Sequence, residues 1–314
     1  MRVAVWPESG LNPNCTLKNI MLTTTIHQEE HKQLLQLDAV STRLGKQAFG
    51  PFTIHIQSAE KIAILGPSGA GKSTLLKLMS RELSAAEGHI RFQSCPLASW
   101  SLQELSRLRA VLPQGSDVAF ALETDLVISL GRVSRTHDRE LPQIVREAAS
   151  MAHAGHLLKR RFDSLSGGEQ ARIQLARIFA QLWDQKNGLI LVDEPLAALD
   201  PGLQFDLLDS LEDYATQRQH AVIAILHDIN HALQAFDRLL LIKNGQLTGD
   251  LPSNADAVPA LEALYDIALS SLRNAEGDLL VTPLRASTRA RKCTTDTHAQ
   301  YLNGSTGRTG NSHA

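Results

Sequence analysis

The feature that most constrains this chain is the stretch Gly66-Pro67-Ser68-Gly69-Ala70-Gly71-Lys72-Ser73-Thr74. It fits the pattern G-x-x-x-x-G-K-[ST], and its flanks fit too. Ile62-Ala63-Ile64-Leu65 before it is a continuous apolar run of strand length, and Leu75-Leu76-Lys77-Leu78-Met79 after it suits a helix. A strand apolar on every residue belongs in a mostly parallel sheet covered on both faces. The glycines let the backbone curl so that its N–H groups point inward at phosphate oxygens, and the helix N-terminus adds partial positive charge. Lys72 then suits the β- and γ-phosphates, and the Ser73 hydroxyl suits Mg²⁺. Such a loop binds a nucleoside triphosphate. By itself it serves kinases, GTPases, helicases and transport motors alike.

The rest of the chain arranges itself around this loop. Residues 1–34 show no sustained period and read as a poorly ordered extension, with Met21 as an alternative start. Leu35 to Leu44 and Phe52 to Ile56 alternate apolar and polar, as half-buried antiparallel strands do. From about residue 101 to 185 the texture is helical, with Ala171 to Leu182 the strongest amphipathic segment. This helical block is inserted between two α/β segments. The core resumes at Leu189-Ile190-Leu191-Val192 and again at Ala221 to Leu226, two further buried strands. Leu239 to Ile242, the turn Asn244-Gly245 and Gln246-Leu247 make a hairpin. Residues 285–314 are rich in Ser, Thr, Gly and Asn and read as a disordered polar tail.

Composition excludes several function classes. Only 4% of residues are aromatic and the formal net charge is −2, so neither base stacking nor a global attraction to nucleic acid is implied. The three cysteines lie far apart and match neither a disulfide framework nor a zinc spacing, which suits a reducing compartment. No apolar run reaches the ~18 residues of a membrane helix. Membrane work would therefore need a partner.

A second motif is more specific than the first. Leu165-Ser166-Gly167-Gly168-Glu169-Gln170 stands directly before the strong helix. It is both a capping box, with Ser166 and Glu169, and a second anion-binding nest. It resembles the signature motif of ATP-binding cassette (ABC) proteins. The resemblance covers about residues 35–284 and implies an α/β P-loop NTPase fold with a RecA-like core, an antiparallel β subdomain and an inserted helical subdomain. It also implies that ATP is held between the phosphate loop of one subunit and the signature motif of a second copy. In its terms Asp193 is the Walker B carboxylate for Mg²⁺, Glu194 handles the attacking water, and Gln114 senses both Mg²⁺ and that water. His227 is the switch histidine. Leu196-Ala197-Ala198-Leu199-Asp200 is the loop that reaches the partner, with Ala197 where a hydroxyl residue is usual. The adenine-stacking aromatic of many members is missing from Ser41 to Lys46, which leaves Arg43 or Leu44 to cover the base.

Within that family the chain is similar to the ATPases of haem and iron-chelate importers. Pro96-Leu97-Ala98-Ser99-Trp100, Arg109-Ala110-Val111-Leu112-Pro113-Gln114 and Asp125 through Leu130-Gly131-Arg132 carry the likeness. Val118 to Glu123 departs from the sequence usual where a permease docks. The resemblance implies a homodimer on the cytoplasmic face of the cell membrane, beneath a permease dimer served indirectly by a periplasmic or extracellular substrate-binding protein. Haem is the implied cargo, with ferric siderophore or cobalamin as alternatives. A soluble non-transport cassette is the alternative of another class. His153 and His156 read as a solvated helix face.

Overall fold

The structure, a computed structural model, describes residues 33–114, 122–135, 137–194 and 199–284. The expected extension and tail lie outside these residues, except that Gln33 and Leu34 already belong to the first strand. Ala197 and residues 118–121 lie outside them too.

The two alternating segments form β1 (Gln33–Leu44) and β2 (Gln47–Gln57), paired antiparallel. With β4 (Glu87–Phe92) and β5 (Cys95–Pro96) they make a four-stranded sheet in the order β2-β1-β4-β5. The three continuous apolar runs become β3 (Lys61–Leu65), β7 (Leu189–Asp193) and β8 (Ala221–Ile225). Together with β6 (Arg109–Leu112), β9 (Arg238–Lys243) and β10 (Gln246–Pro252) they build a six-stranded sheet, β10-β9-β3-β8-β7-β6. Every pairing in it is parallel except the edge hairpin of β9 and β10. Ala63 and Leu65 join one buried core, whereas Ile62 and Ile64 join the other, which also holds the first sheet's Leu35, Leu37 and Phe52. Two-faced burial is why these strands show no polar alternation.

Helix α1 (Lys72–Ser80) opens directly from the glycine loop. After α2 (Leu102–Leu108), the insert consists of α3 (Thr124–Ser129), α4 (Leu141–Met151) and α5 (Gly167–Leu182). The core resumes with α6 (Pro201–Arg218) and α7 (Ile229–Ala235). The chain then adds α8 (Val258–Tyr265) and a hairpin of β11 (Leu269–Arg273) and β12 (Leu279–Pro283), which extends the expected small helical end.

The Leu130-Gly131-Arg132 stretch works inside the insert. A Cβ on Gly131 would lie 2.3 Å from the Arg177 carbonyl, so only glycine lets this turn meet α5. Arg132 is buried and donates to Ala180 O at 3.1 Å, to Asp184 at 3.0 Å and to Asp138. Its guanidinium beside Asp138 holds that carboxyl below its usual range. Two expectations need correction. His153 and His156 do not share a helix: α4 ends at Met151, His153 sits in a left-handed turn (φ 51°) and His156 in a separate 3-10 turn. Cys95 is disulfide-bonded, contrary to the expectation that the three cysteines stay unpaired.

One buried histidine makes the fold pH-sensitive. His220 Nδ1 accepts from the Gly188 N–H at 2.9 Å, which leaves the proton on Nε2, a buried atom without a partner. Burial, chiefly, pushes its pKa down to about 4 from 6.5. The folded chain thus refuses a proton that the unfolded chain accepts, and stability falls as pH drops below 6.5. By proton linkage, the cost is about 2 kcal/mol between pH 7 and pH 5. Urea midpoints measured at the two pH values should show this loss, and a His220→Gln variant should lack it.

Candidate nucleotide site

Parallel register brings the chemistry together. Ile225 pairs with Ile64 on one side and with Asp193 on the other, so β3, β7 and β8 end side by side. Past those ends stand Gly66, Asp193-Glu194 and His227. Beside them opens a cleft of about 430 Å³ lined by Phe49, the loop residues Ser68 through Thr74, Gln114, Glu194 and His227. Ligands of open α/β sheets bind outside the carboxyl ends of the strands, and this cleft follows that rule.

The loop is held from several sides. Lys72, only 5% exposed, donates its ammonium to Gly66 O at 2.8 Å and Pro67 O at 3.2 Å. Burial lowers its pKa, against the raising pull of Glu194 and Asp193. The Gly245 N–H donates to Ala70 O at 2.8 Å, and a Cβ on Gly66 would strike the Ile242 carbonyl at 2.1 Å. The β9–β10 turn is therefore the floor of the loop.

The acidic side is equally ordered. Ser73 Oγ donates to Asp193 Oδ1 at 3.2 Å. Burial, and secondarily the Glu194 charge, raises the Asp193 pKa, while the Ser73 hydrogen bond opposes the rise. A hydroxyl and a carboxylate at this spacing are hard oxygen donors of the kind Mg²⁺ takes alongside nucleotide phosphates, so the pair fits that ion. Glu194 Oε2 accepts from the Gln114 amide, and Glu194 Oε1 lies 2.6 Å from His227 Nε2. A carboxylate only accepts, so His227 presents a proton there. Glu194 itself has φ 51°, a left-handed conformation that costs a non-glycine residue of order 1–3 kcal/mol and is typical of functional sites.

The signature motif lies elsewhere in the chain. Ser166 caps α5, and Glu169 accepts from the Ser166 N–H at 2.8 Å and its hydroxyl at 2.9 Å. Those bonds, with Arg160 at 3.0 Å, hold the Glu169 carboxyl below its usual range. A Cβ on Gly168 would lie 2.5 Å from Leu203, and Asp200 caps α6 by accepting from Leu203 N at 3.1 Å. Ser166 through Gly168 and Asp200 are thus neighbours, and none lines the cleft around Lys72. Sequence reasoning missed Phe49. It sought an aromatic within Ser41 to Lys46, where Leu44 is 44% exposed, whereas Phe49 on the partner strand β2 lines the cleft and packs on Gly71. The signal was present: Phe49 pairs with Thr42, so the hairpin carries it back beside the searched stretch.

The geometry is that of a nucleotide-binding cleft at the carboxyl ends of a parallel sheet, and comparison with known proteins agrees. A family model described as ABC transporter matches residues 49–197. The chain is 39% identical over 262 residues to the hemin import ATP-binding protein HmuV of Methylobacillus flagellatus, covering 81% of this chain and 96% of that one. For the protein of that name in Pseudomonas aeruginosa the identity is 41% over 216 residues, covering 68% and 84%. Among solved structures, a metal-chelate type ABC transporter in an inward-facing conformation shares the fold with a TM-score of 0.69 at 24% identity, over 81% of this chain and 98% of its own. A dimeric ATP-binding cassette bound to ADP and phosphate gives 0.62 at 22%, over 71% and 100%. The chain belongs to the ABC transporter ATP-binding proteins and is an ATP-hydrolysing transporter subunit.

Gly71 supplies a direct test of loop geometry. It has φ 105°, and a Cβ there would sit 2.7 Å from the Phe49 ring. Gly71→Ala should weaken ATP binding by roughly tenfold or more, from backbone strain of about 1–3 kcal/mol. Fluorescent-nucleotide titration of the purified chain measures the effect.

Proposed function

We propose that this chain is the motor of a haem importer, working as a homodimer on the cytoplasmic face of the cell membrane beneath a permease dimer. The observation that carries the cargo reading is the likeness, over four-fifths of the chain, to a protein named for hemin import. The chain's own part is mechanical, and a binding protein and permease would select the cargo. Among the described residues no helix is long and apolar enough to cross a membrane.

In this reading the loop amides and Lys72 hold the phosphates. Lys72 gives up the Gly66 and Pro67 carbonyls to do so. Ser73 and Asp193 would hold Mg²⁺, which would supply positive charge to offset that of the phosphates. Glu194 accepts the proton of the attacking water as its oxygen bonds to the γ-phosphorus and the bond to the ADP oxygen breaks. Gln114 and His227 fix the Glu194 carboxylate from two sides. Ser166, Gly167, Gly168, Glu169 and Asp200 of a second copy close the site from above, and the helical insert transmits that closure to the permease.

Two measurements test this. Glu194→Gln keeps the shape but removes the proton acceptor, so it should abolish turnover and trap ATP in a stable dimer on size-exclusion chromatography; turnover at the parent rate would sink the assignment. With its permease in membranes, the complex should hydrolyse ATP faster when haem and the binding protein are supplied. Stimulation by a ferric siderophore or cobalamin instead would replace the cargo and leave the motor intact.

A further inference from the structure

The C-terminal unit from Val258 to Pro283 lies beyond the segment matched by the family model, yet it touches the phosphate loop at one point and, at a second, the helix that follows His227. At the first, the Gly66 N–H donates to the Tyr265 hydroxyl at 3.2 Å. Gly66 opens the phosphate loop, and its carbonyl is bound by Lys72. Once Lys72 moves to phosphate, Tyr265 still fixes this glycine. Lys243, on the floor of the loop, donates to Ala263 O at 2.7 Å and ties α8 to the same turn.

At the second point Asn230 acts as a strand neighbour. Its Nδ2 donates to Val281 O at 3.1 Å and its Oδ1 accepts from Val281 N at 2.8 Å, the reciprocal pattern of a backbone pair. Asn230 stands in the first turn of α7, where Asp228 caps its N–H at 2.7 Å. His227 immediately precedes that cap. β12 is thereby tied to the first turn of α7, three residues beyond the His227 ring that meets Glu194. Leu261, Leu264 and Val281 share one buried core with Ala63 and Leu65 of β3, so the unit is packed onto the sheet and moves with it.

We infer that this C-terminal unit is a brace of the nucleotide site, with Tyr265 positioning the phosphate loop and Asn230 positioning the switch histidine. The two contacts act on different steps. Tyr265 shapes the cradle that binds ATP, whereas Asn230 orients a residue that acts during hydrolysis, a clause that rests on the role proposed for His227.

Four variants of the full chain decide it. Tyr265→Phe removes one hydroxyl and should raise the Kd for ATP roughly three- to tenfold, the worth of one hydrogen bond, with kcat nearly unchanged. Asn230→Ala should lower kcat by a similar factor with the Kd unchanged. Leu261→Ala, a core substitution that removes no hydrogen bond of either contact, should lower Tm without moving either constant at a temperature where it is folded. His227→Ala should lose turnover. The brace is overturned if Tyr265→Phe binds ATP like the parent, if Leu261→Ala shifts the Kd equally, or if Asn230→Ala keeps full turnover while His227→Ala loses it. Full turnover in His227→Ala would instead strike the role proposed for that histidine, leaving the Tyr265 contact to be judged on the Kd alone.

Discussion

The parallel pairing of β3 with β8 and of β8 with β7 is the constraint on which the rest depends. It is a register of backbone hydrogen bonds, Ile64 to Ile225 to Asp193, buried on both faces. A slip of one residue would send each strand's side chains to the opposite core and part the loop from the two carboxylates. The apolar runs therefore do more than fill the interior. They fix the height at which each strand ends, with Asp193 at the end of β7, Glu194, Gln114 and His227 one or two residues past the ends of β7, β6 and β8, and the glycine loop opening directly after β3.

Charge in the cleft is balanced internally. Lys72 rests on two carbonyls, Asp193 on the Ser73 hydroxyl, and Glu194 between Gln114 and His227. Burial raises the Asp193 pKa and lowers that of Lys72, so each is disfavoured in its charged form until a counter-charge arrives. In the function proposed above, phosphate beside Lys72 and a divalent cation beside Asp193 are those counter-charges.

Much of this was legible in the sequence because the informative patterns are local. The glycine spacing from Gly66 to Lys72 forces a loop, and unbroken apolar runs force central strands. Ser166 and Glu169 announce the start of α5 by a capping box that the structure reproduces. What stayed hidden depends on contacts between distant segments. Phe49 reaches the cleft only because the β1–β2 hairpin folds it there, and Tyr265 meets Gly66 across 199 positions of chain. His153 and His156 are solvated as expected, but the left-handed turn at His153 (φ 51°) takes them off a common helix, which residue spacing does not show.

The two glycines of the signature motif separate what the single chain explains from what it does not. Gly168 has a reason within the chain: any side chain would strike Leu203. For Gly167 a Cβ would meet nothing within 4 Å among the described residues. The capping box needs only Ser166 and Glu169, so it does not account for Gly167 either. A bare backbone at a helix N-terminus, facing open space, is the arrangement that admits the close approach of an anion. This chain's own phosphate cleft is elsewhere, and in the function proposed above the anion at Gly167 is one held on the phosphate loop of a second copy.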